Sequence, residues 1–375
     1  MVIAINCWAL RKKQLDGIGY FTVNTISRVI KNHPEVKFVI LCDKNYSESY
    51  FEFPNVEYKK IFPPYRHPIL YFFYFEFIMP LFLKKLKPDL LVSADGFLSL
   101  NSSCKQLSII YDLNFEHFPE NLALKNRVYY RFFFKKFARK ASRIATISEY
   151  SKNDIVNMYK ILPEKIDNVS CGINSNFNVL DETEKQNSRN RFSDGKPFFF
   201  FIGSVHPRKN VNRLILAFNQ FKSRNRSEIK LVIGGAMLWN NSEIIDTYEK
   251  SPFKDEIKFI GRLSDEDLKE VLGAAYALTF VPVFEGFGLP IVEAFEAQVP
   301  VLTSNVTSLP EVAGNAAIYV DPFNINDISN GLEELYNNKN ELCQFLISEG
   351  VKRKNKFSWD KTSALFWDCV LRALK

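Results

Sequence analysis

The feature that most constrains this chain is an alternation that runs along nearly all of it. Short apolar runs are each followed by a stretch with helical spacing. Val2–Cys7 reads as a first strand, followed by Gly17–Ile18–Gly19 and an amphipathic helix over Tyr20–Lys31. Val36–Cys42, Leu90–Ser93, Leu107–Tyr111 and Arg143–Ile147 continue the strand series. Each run is bounded by charge or turn residues, as expected of strands buried on both faces. Strands that alternate with helices predict a parallel, doubly wound sheet. Asp181–Lys196 is polar and without apolar period, so it reads as a linker or a surface helix. A second alternating series follows: Pro197–Ile202, Lys230–Ile233, Ile257–Ile260, Leu278–Val281 and Val299–Thr303 as strands, with Val211–Phe221 as a helix.

Two such series in 375 residues fit two domains, because single cores rarely grow beyond ~300 residues. The sequence predicts an α/β chain with boundaries at 1–178 and 197–355, and a final helix over 356–375 carrying Trp359, Phe366 and Trp367. The expected ligand position in each half is the carboxyl end of the strands. The net charge of +7 permits an anionic partner without demanding one. Six cysteines at scattered positions, none in a Cys-x-x-Cys pair, fit a reducing compartment. Met1–Leu10 lacks a basic stretch followed by an apolar one, so no secretory signal is expected and the chain reads as cytoplasmic. Ile69–Leu83 is rich in Phe and Tyr but is too short to span a bilayer and contains Glu76 and Pro80. It reads as a buried or interfacial helix.

Two segments carry candidate chemistry. Val283–Gln298 holds two carboxylates, Glu285 and Glu293, around Gly286–Phe287–Gly288 and Pro290. Proline favours the first turn of a helix, so the helix should start near Leu289 with Glu293 in its first turn. A helix N-terminus suits a diphosphate, and carboxylates beside it suit sugar and ribose hydroxyls. The plainer reading makes Glu293 a dipole partner and Glu285 a solvated loop acid. In the second segment, Phe201–Arg213, a strand ends at Gly203 and the adjacent cations Arg208 and Lys209 precede a helix. Such a pair can neutralise a diphosphate leaving group, or it can be a solvated basic turn.

Taken together, these motifs resemble the retaining glycosyltransferase family 4, of the GT-B architecture with two Rossmann-like domains facing across a cleft. The resemblance covers nearly the whole chain. It rests on Gly17–Ile18–Gly19, on Thr146–Lys152, on Gly203–Asn210, on the Glu285…Glu293 pair and on Ser308–Ala317. It implies that Glu285 contacts hydroxyls of the donor sugar, with Phe287, Gly288 and Leu289 presenting backbone N–H groups. Glu293 would hold the ribose, and Lys209 the diphosphate. Leu263, with its neighbours Gly261 and Arg262, would border the base. Gly17 and Gly19 would approach the phosphate from the first domain. The implied reaction moves a hexose, mannose by overall pattern, from a nucleoside-diphosphate sugar such as GDP-mannose. The implied acceptor is a surface polysaccharide, such as lipopolysaccharide O-antigen, or a lipid-linked oligosaccharide. No metal or other cofactor is implied.

The chain departs from the family pattern at Ser204, where many relatives carry Arg, and at Tyr111, where many carry His. Arg208 is the substitute guanidinium, and Asp112 is kept as a catalytic candidate facing the cleft. A nucleotide-sugar epimerase on the same architecture, and an inactive nucleotide-binding subunit of a polysaccharide assembly complex, are the alternatives. Asp265 and Asp267 read as first-turn acids of a helix capped by Ser264 rather than as a metal site. Ser308 and Glu311 have the spacing of a capping box. Asn121–Arg143 carries eight Lys or Arg among aromatics and no acid. That composition suits contact with an anionic membrane surface, or a core-packed helix with a solvated basic face. No nucleic-acid partner is expected.

Overall fold

The computed structural model describes residues 1–7, 10, 15–42, 50–61, 68–173, 177, 179–237, 242–338 and 341–375. The chain divides by contacts into two units. The first is Met1–Gly172 with Ser358–Lys375, and the second is Ile173–Phe357.

The first unit contains β1 (Val2–Asn6), α1 (Gly17–Asn32), β2 (Lys37–Cys42), β3 (Val56–Lys60), α2 (Pro68–Phe73), α3 (Met79–Leu86), β4 (Leu90–Ser93) and β5 (Gln106–Ile109). It continues with α4 (Asn114–His117), α5 (Leu124–Lys140), β6 (Arg143–Thr146), α6 (Glu149–Tyr159) and β7 (Ile166–Asn168). The sheet is parallel, in the order β3-β2-β1-β4-β5-β6-β7. The strand order reverses between β1 and β4, and the crevice beyond their carboxyl ends is where such sheets take ligands. Ile3, Ala4 and Ile5, and Leu90 to Val92, are buried, as strands covered on both faces must be.

The second unit begins with α7 (Glu182–Ser193), β8 (Phe198–Ile202), α8 (Val211–Arg224), β9 (Lys230–Gly234), α9 (Ser242–Glu249), β10 (Ile257–Gly261) and α10 (Asp265–Ala274). It continues with β11 (Ala277–Phe280), α11 (Leu289–Glu296), β12 (Val301–Ser304), α12 (Leu309–Ala313), β13 (Ile318–Val320), α13 (Ile325–Asn337) and α14 (Glu341–Lys354). Its parallel sheet runs β10-β9-β8-β11-β12-β13 and reverses between β8 and β11. Phe198, Phe199, Phe200 and Phe201 are all fully buried, so both faces of β8 are covered.

The stretch that composition marks as a linker or surface helix is α7, packed within the second unit. A capping box at its start, with Asp181 and Glu184 each bonding the other's backbone N–H, begins the helix despite its polar sequence. Ser188 then donates to the Glu270 carbonyl at 3.2 Å. The final helix α15 (Trp359–Leu374) belongs to the first unit, where Trp359 stacks edge-on against Phe21 of α1. Gly172 is required there, because a Cβ would lie 2.2 Å from the Trp359 nitrogen.

Two expectations are corrected. Gly17–Ile18–Gly19 is not a loop before the helix but the first turn of α1. Asp16 is the reason: its Oδ1 accepts from the Gly19 N–H at 2.9 Å and caps the helix three residues earlier than apolar spacing suggests. Ile69–Leu83 is not one regular helix. It is α2 and α3 joined by a π-turn over Tyr74–Ile78. There Glu76 turns inward and accepts from the N–H groups of Leu100 and Asn101, both at 3.1 Å.

Candidate active site at the strand-order reversal of the second unit

The segments that follow β8 and β11 meet where the sheet reverses. After β8 the chain turns at Gly203, whose φ of 150° favours glycine. Backbone crowds in at this point: a Cβ on Gly235 would lie 1.8 Å from the Gly203 carbonyl oxygen. A short 3-10 turn, Pro207–Lys209, follows, opened by His206, whose Nδ1 accepts from the Arg208 N–H. Burial, then the charges of Arg208 and Lys209, lower the pKa of His206, so its imidazole is neutral near pH 7. Asn210 takes a left-handed conformation and donates to the carbonyls of Val281 and Pro322. That side chain ties the loops after β8, β11 and β13 into one frame.

Arg208 and Lys209 both reach Oε1 of Glu285. Arg208 Nη1 is 2.9 Å away and also donates to the Phe284 carbonyl at 2.6 Å. Lys209 Nζ bonds the same carboxylate oxygen and lies 5.1 Å from the Phe280 ring centre. Glu285 is only 9% exposed, so solvent screens these pairs little. Burial pushes the Glu285 carboxyl up, but the Arg208 and Lys209 charges and hydrogen bonds outweigh it and hold the pKa below the ordinary value. The solvated-acid and solvated-turn readings of these residues do not hold.

Ser308 shapes the Glu285 loop from behind. Its hydroxyl is placed against the carbonyls of Glu285 and Phe287, at 2.9 and 3.1 Å. The capping box expected of Ser308 with Glu311 is therefore not formed, since no side chain caps α12. Thr307 Oγ1 accepts from the Glu285 N–H at 3.3 Å. Phe287 is buried with its ring edge-on against Phe357. Gly288 caps α11 at φ 102°, a conformation that favours glycine. The N–H groups of Phe287, Gly288 and Leu289 find no acceptor among the described residues. Free donors, a helix start and two cations converge on one place, an arrangement suited to an anion.

Glu293 lies one turn into α11. It accepts no hydrogen bond from any described residue, and burial, with Asp265 adding to it, pushes its carboxyl up to about 7. A ligand hydroxyl would supply the missing donor. Leu263 is half-buried beside Gly234, where a Cβ would come within 3.3 Å of its side chain. Ser264 does cap α10 through the Asp267 N–H, at 3.0 Å.

The candidates of the first unit sit at the carboxyl ends of its own sheet. Asp112 is engaged locally: its Oδ1 accepts from the Asn114 backbone and side-chain amides, at 2.9 and 2.5 Å. Tyr111 is tied to the fold, donating to the Ala94 carbonyl at 3.0 Å. Sequence reasoning missed Asp95 and Asn6, which flank the β1/β4 reversal. Asp95 Oδ1 accepts from Ser93 Oγ, the Phe97 N–H and, at 3.5 Å, Asn6 Nδ2. Asp95 Oδ2 and Asn6 Oδ1 are buried with no partner among the described residues. Burial pushes the Asp95 carboxyl up to about 7 despite its hydrogen bonds. The signal was available: a polar residue ending an apolar strand, and an acid just past another.

Two doubly wound units of this kind make the GT-B architecture, and sequence comparison agrees. Residues 182–353 match the family model described as glycosyl transferases group 1, and residues 15–177 match glycosyltransferase family 4. The chain belongs to this glycosyltransferase family. Over 222 residues, 59% of this chain, it is 28% identical to O-antigen chain mannosyltransferase B of Escherichia coli. Over 219 residues, 58% of the chain, it is 27% identical to O-antigen chain mannosyltransferase RfbU of Salmonella typhimurium. The matches span 58% and 57% of those two relatives. The fold is shared with Anabaena Alr3699/HepE, solved in complex with UDP and glucose, at a TM-score of 0.77 and 13% identity over 99% of both chains. It is also shared with WaaG, a glycosyltransferase involved in lipopolysaccharide biosynthesis, at 0.75 and 16% over 98% of both chains. The epimerase and inactive-subunit alternatives receive no support from these matches.

Proposed function

We propose that this protein transfers mannose, with retention of configuration, from a nucleoside-diphosphate sugar to a polysaccharide or lipid-linked oligosaccharide acceptor. GDP-mannose is the donor we favour, and the cytoplasmic face of the inner membrane is the place. The observation that carries the donor reading is the convergence of Arg208, Lys209 and Glu285 beside the unpaired N–H groups at the start of α11. The mannose and O-antigen readings are supported by the mannosyltransferase relatives.

In this reading the two cations and the helix start receive the diphosphate, and Glu293 accepts from the ribose hydroxyls. Glu285 accepts from hydroxyls of the sugar. The bond from the anomeric carbon to the diphosphate oxygen breaks, and its electron pair leaves on that oxygen. Arg208 and Lys209 offset the growing charge, a role the protein can fill without a metal. The acceptor hydroxyl oxygen bonds to the anomeric carbon on the face the diphosphate leaves, and its proton passes to the departing phosphate. The first unit takes the acceptor, with Asp112 as its proposed catalytic contributor, while Gly17 and Gly19 are proposed to approach the phosphate.

A thermal-shift panel of the purified protein against UDP, GDP, dTDP and ADP tests the donor class, since preferential binding raises the melting temperature. GDP should give the largest shift, and labelled mannose should then pass from GDP-mannose to an oligosaccharide acceptor. A shift with UDP alone would overturn the mannose reading.

A further inference from the structure

Among the described residues, no helix is long and apolar enough to cross a membrane. The first unit nevertheless exposes a large apolar face, made from two segments that are far apart in sequence. Along α2, the π-turn and α3, Leu70, Phe73, Phe77 and Leu81 recur at helical spacing and are exposed, Leu81 by 70%. Along α5, Leu124, Val128 and Phe132 recur every fourth position and are 68%, 61% and 56% exposed. The opposite faces are the buried ones: Tyr71, Tyr74, Phe75 and Met79 on one segment, and Tyr129, Phe134 and Phe137 on the other.

Ring contacts join the two stripes. Phe77 meets Phe72 at 5.9 Å, Phe72 meets Phe133 at 5.9 Å, and Phe133 meets Phe132 at 5.0 Å. Lys136 Nζ then lies 3.5 Å from the centre of the Phe132 ring. Monomeric proteins rarely leave so many contiguous large apolar side chains in water without a use for them.

Charge identifies the occupant. Lys84 and Lys85 close one stripe, while Arg127, Arg131, Lys135 and Lys136 border the other. Among the described residues these six have one carboxylate partner, Glu116 on Arg131. The only acid in Pro68–Leu86 is Glu76, turned inward onto backbone amides, and α5 has none. Arg127, Arg131 and Lys135 line a shallow groove between α5 and α6 with Met158 and Tyr159, and Glu116, the partner of Arg131, lines it too, which leaves three cations to one acid. The Arg127 Nε there is buried and has no acceptor among the described residues. Apolar stripes edged by cations in excess of acids match the two layers of a lipid surface, acyl chains below and anionic headgroups above.

We propose that α2, the π-turn, α3 and α5 form one docking face for an anionic lipid bilayer. Phe73, Phe77, Leu81, Leu124, Val128 and Phe132 enter the interface, and the groove of Arg127, Arg131 and Lys135 takes a phosphate headgroup. The proposal rests on the membrane placement given above and not on the sugar transferred.

The test is co-sedimentation of the full chain with phosphatidylcholine vesicles, and with vesicles of equal parts phosphatidylcholine and phosphatidylglycerol. Binding is expected to the anionic vesicles and to weaken with salt. F73S/F77S/L81S should abolish it. R127Q/K135Q should weaken it about fivefold for each charge removed. Both variants should keep the wild-type nucleotide thermal shift and the wild-type rate on a soluble acceptor, so a failure of docking is separable from a failure of the transferase reading. No binding to either vesicle, or equal binding to both, overturns the proposal. So does a wild-type dimer on size exclusion that the triple serine variant converts to monomer, since the face would then join two copies of the chain.

Discussion

Arg208 and Glu285 are 77 positions apart in the chain and 2.9 Å apart in the fold. Lys209 bonds the same Glu285 oxygen, so one carboxylate orients two cations at the start of α11. Removing it leaves two largely buried positive charges side by side. Glu285→Ala should cost about 3 kcal/mol of stability. It should also lower transfer by roughly two orders of magnitude or more. Denaturant melts and single-turnover rates check both. Because the folded-state pKa of Glu285 is lowered, its contribution is whole above the ordinary glutamate value and disappears as the pH falls below it. Glu285→Ala should therefore matter less to stability at pH 3 than at pH 7.

Glu293 carries the opposite sign. Its folded pKa is raised to about 7 from 4.5, so the unliganded fold is most favoured below 4.5 and loses that stability as the pH rises through 7. Glu293→Gln should raise the melting temperature at pH 8 and leave it nearly unchanged at pH 4. The gain should be about 1–3 kcal/mol. The same variant should bind nucleotide about tenfold more weakly, as expected when one charge-assisted hydrogen bond is lost. Calorimetric titration with the nucleoside diphosphate reads the second effect. Unchanged affinity would remove Glu293 from the site.

Asp95 supplies a control in the first unit. Its carboxyl is likewise raised to about 7, from 3.8, although its Oδ1 accepts from the Asn6 amide, and its Oδ2 has no partner among the described residues. Asp95→Asn replaces a buried acid with an amide that can donate. Melting at pH 8 should improve by about 1–3 kcal/mol, fading toward pH 4. A loss of stability at pH 8 would show that the ionised carboxylate is held favourably.

Ser308 acts on catalysis through Glu285. Its hydroxyl is set against the carbonyls of Glu285 and Phe287, both in a buried loop. Ser308→Ala should cost about 1–3 kcal/mol by stranding those acceptors. It should lower kcat more than it raises KM, because the carboxylate loses its placement. Ser308→Thr, which keeps the hydroxyl, should recover most of the rate. Equal loss in both variants would assign Ser308 a packing role only.

Much of the fold was legible in the sequence. Short apolar runs bounded by turn residues, such as Phe198–Ile202, read as strands covered on both faces, and their alternation with helices leaves few topologies open. The Glu285 to Glu293 segment was equally legible, because Gly288 and Pro290 announce a helix start. Local chemistry was the weak point. The capping oxygen of Asp16 moved the start of α1, and the capping box at Asp181 decided for a helix where composition left a linker or a surface helix open.

The sequence by itself determined the two sheets, the order of their helices and the residue types able to bind a nucleotide-sugar, since these follow from period and spacing along the chain. Only the tertiary structure decided which of those residues act together. It brought Arg208 and Lys209 onto Glu285, gave Asp112 the Asn114 amides as partners, set Asp95 beside Asn6 in a buried pair, and merged Phe72 with Phe133 into one outer face. The physical reason is the same throughout. Hydrogen bonds, ion pairs and ring contacts act over a few ångströms, and only the packing of sheets and helices sets which distant residues come that close.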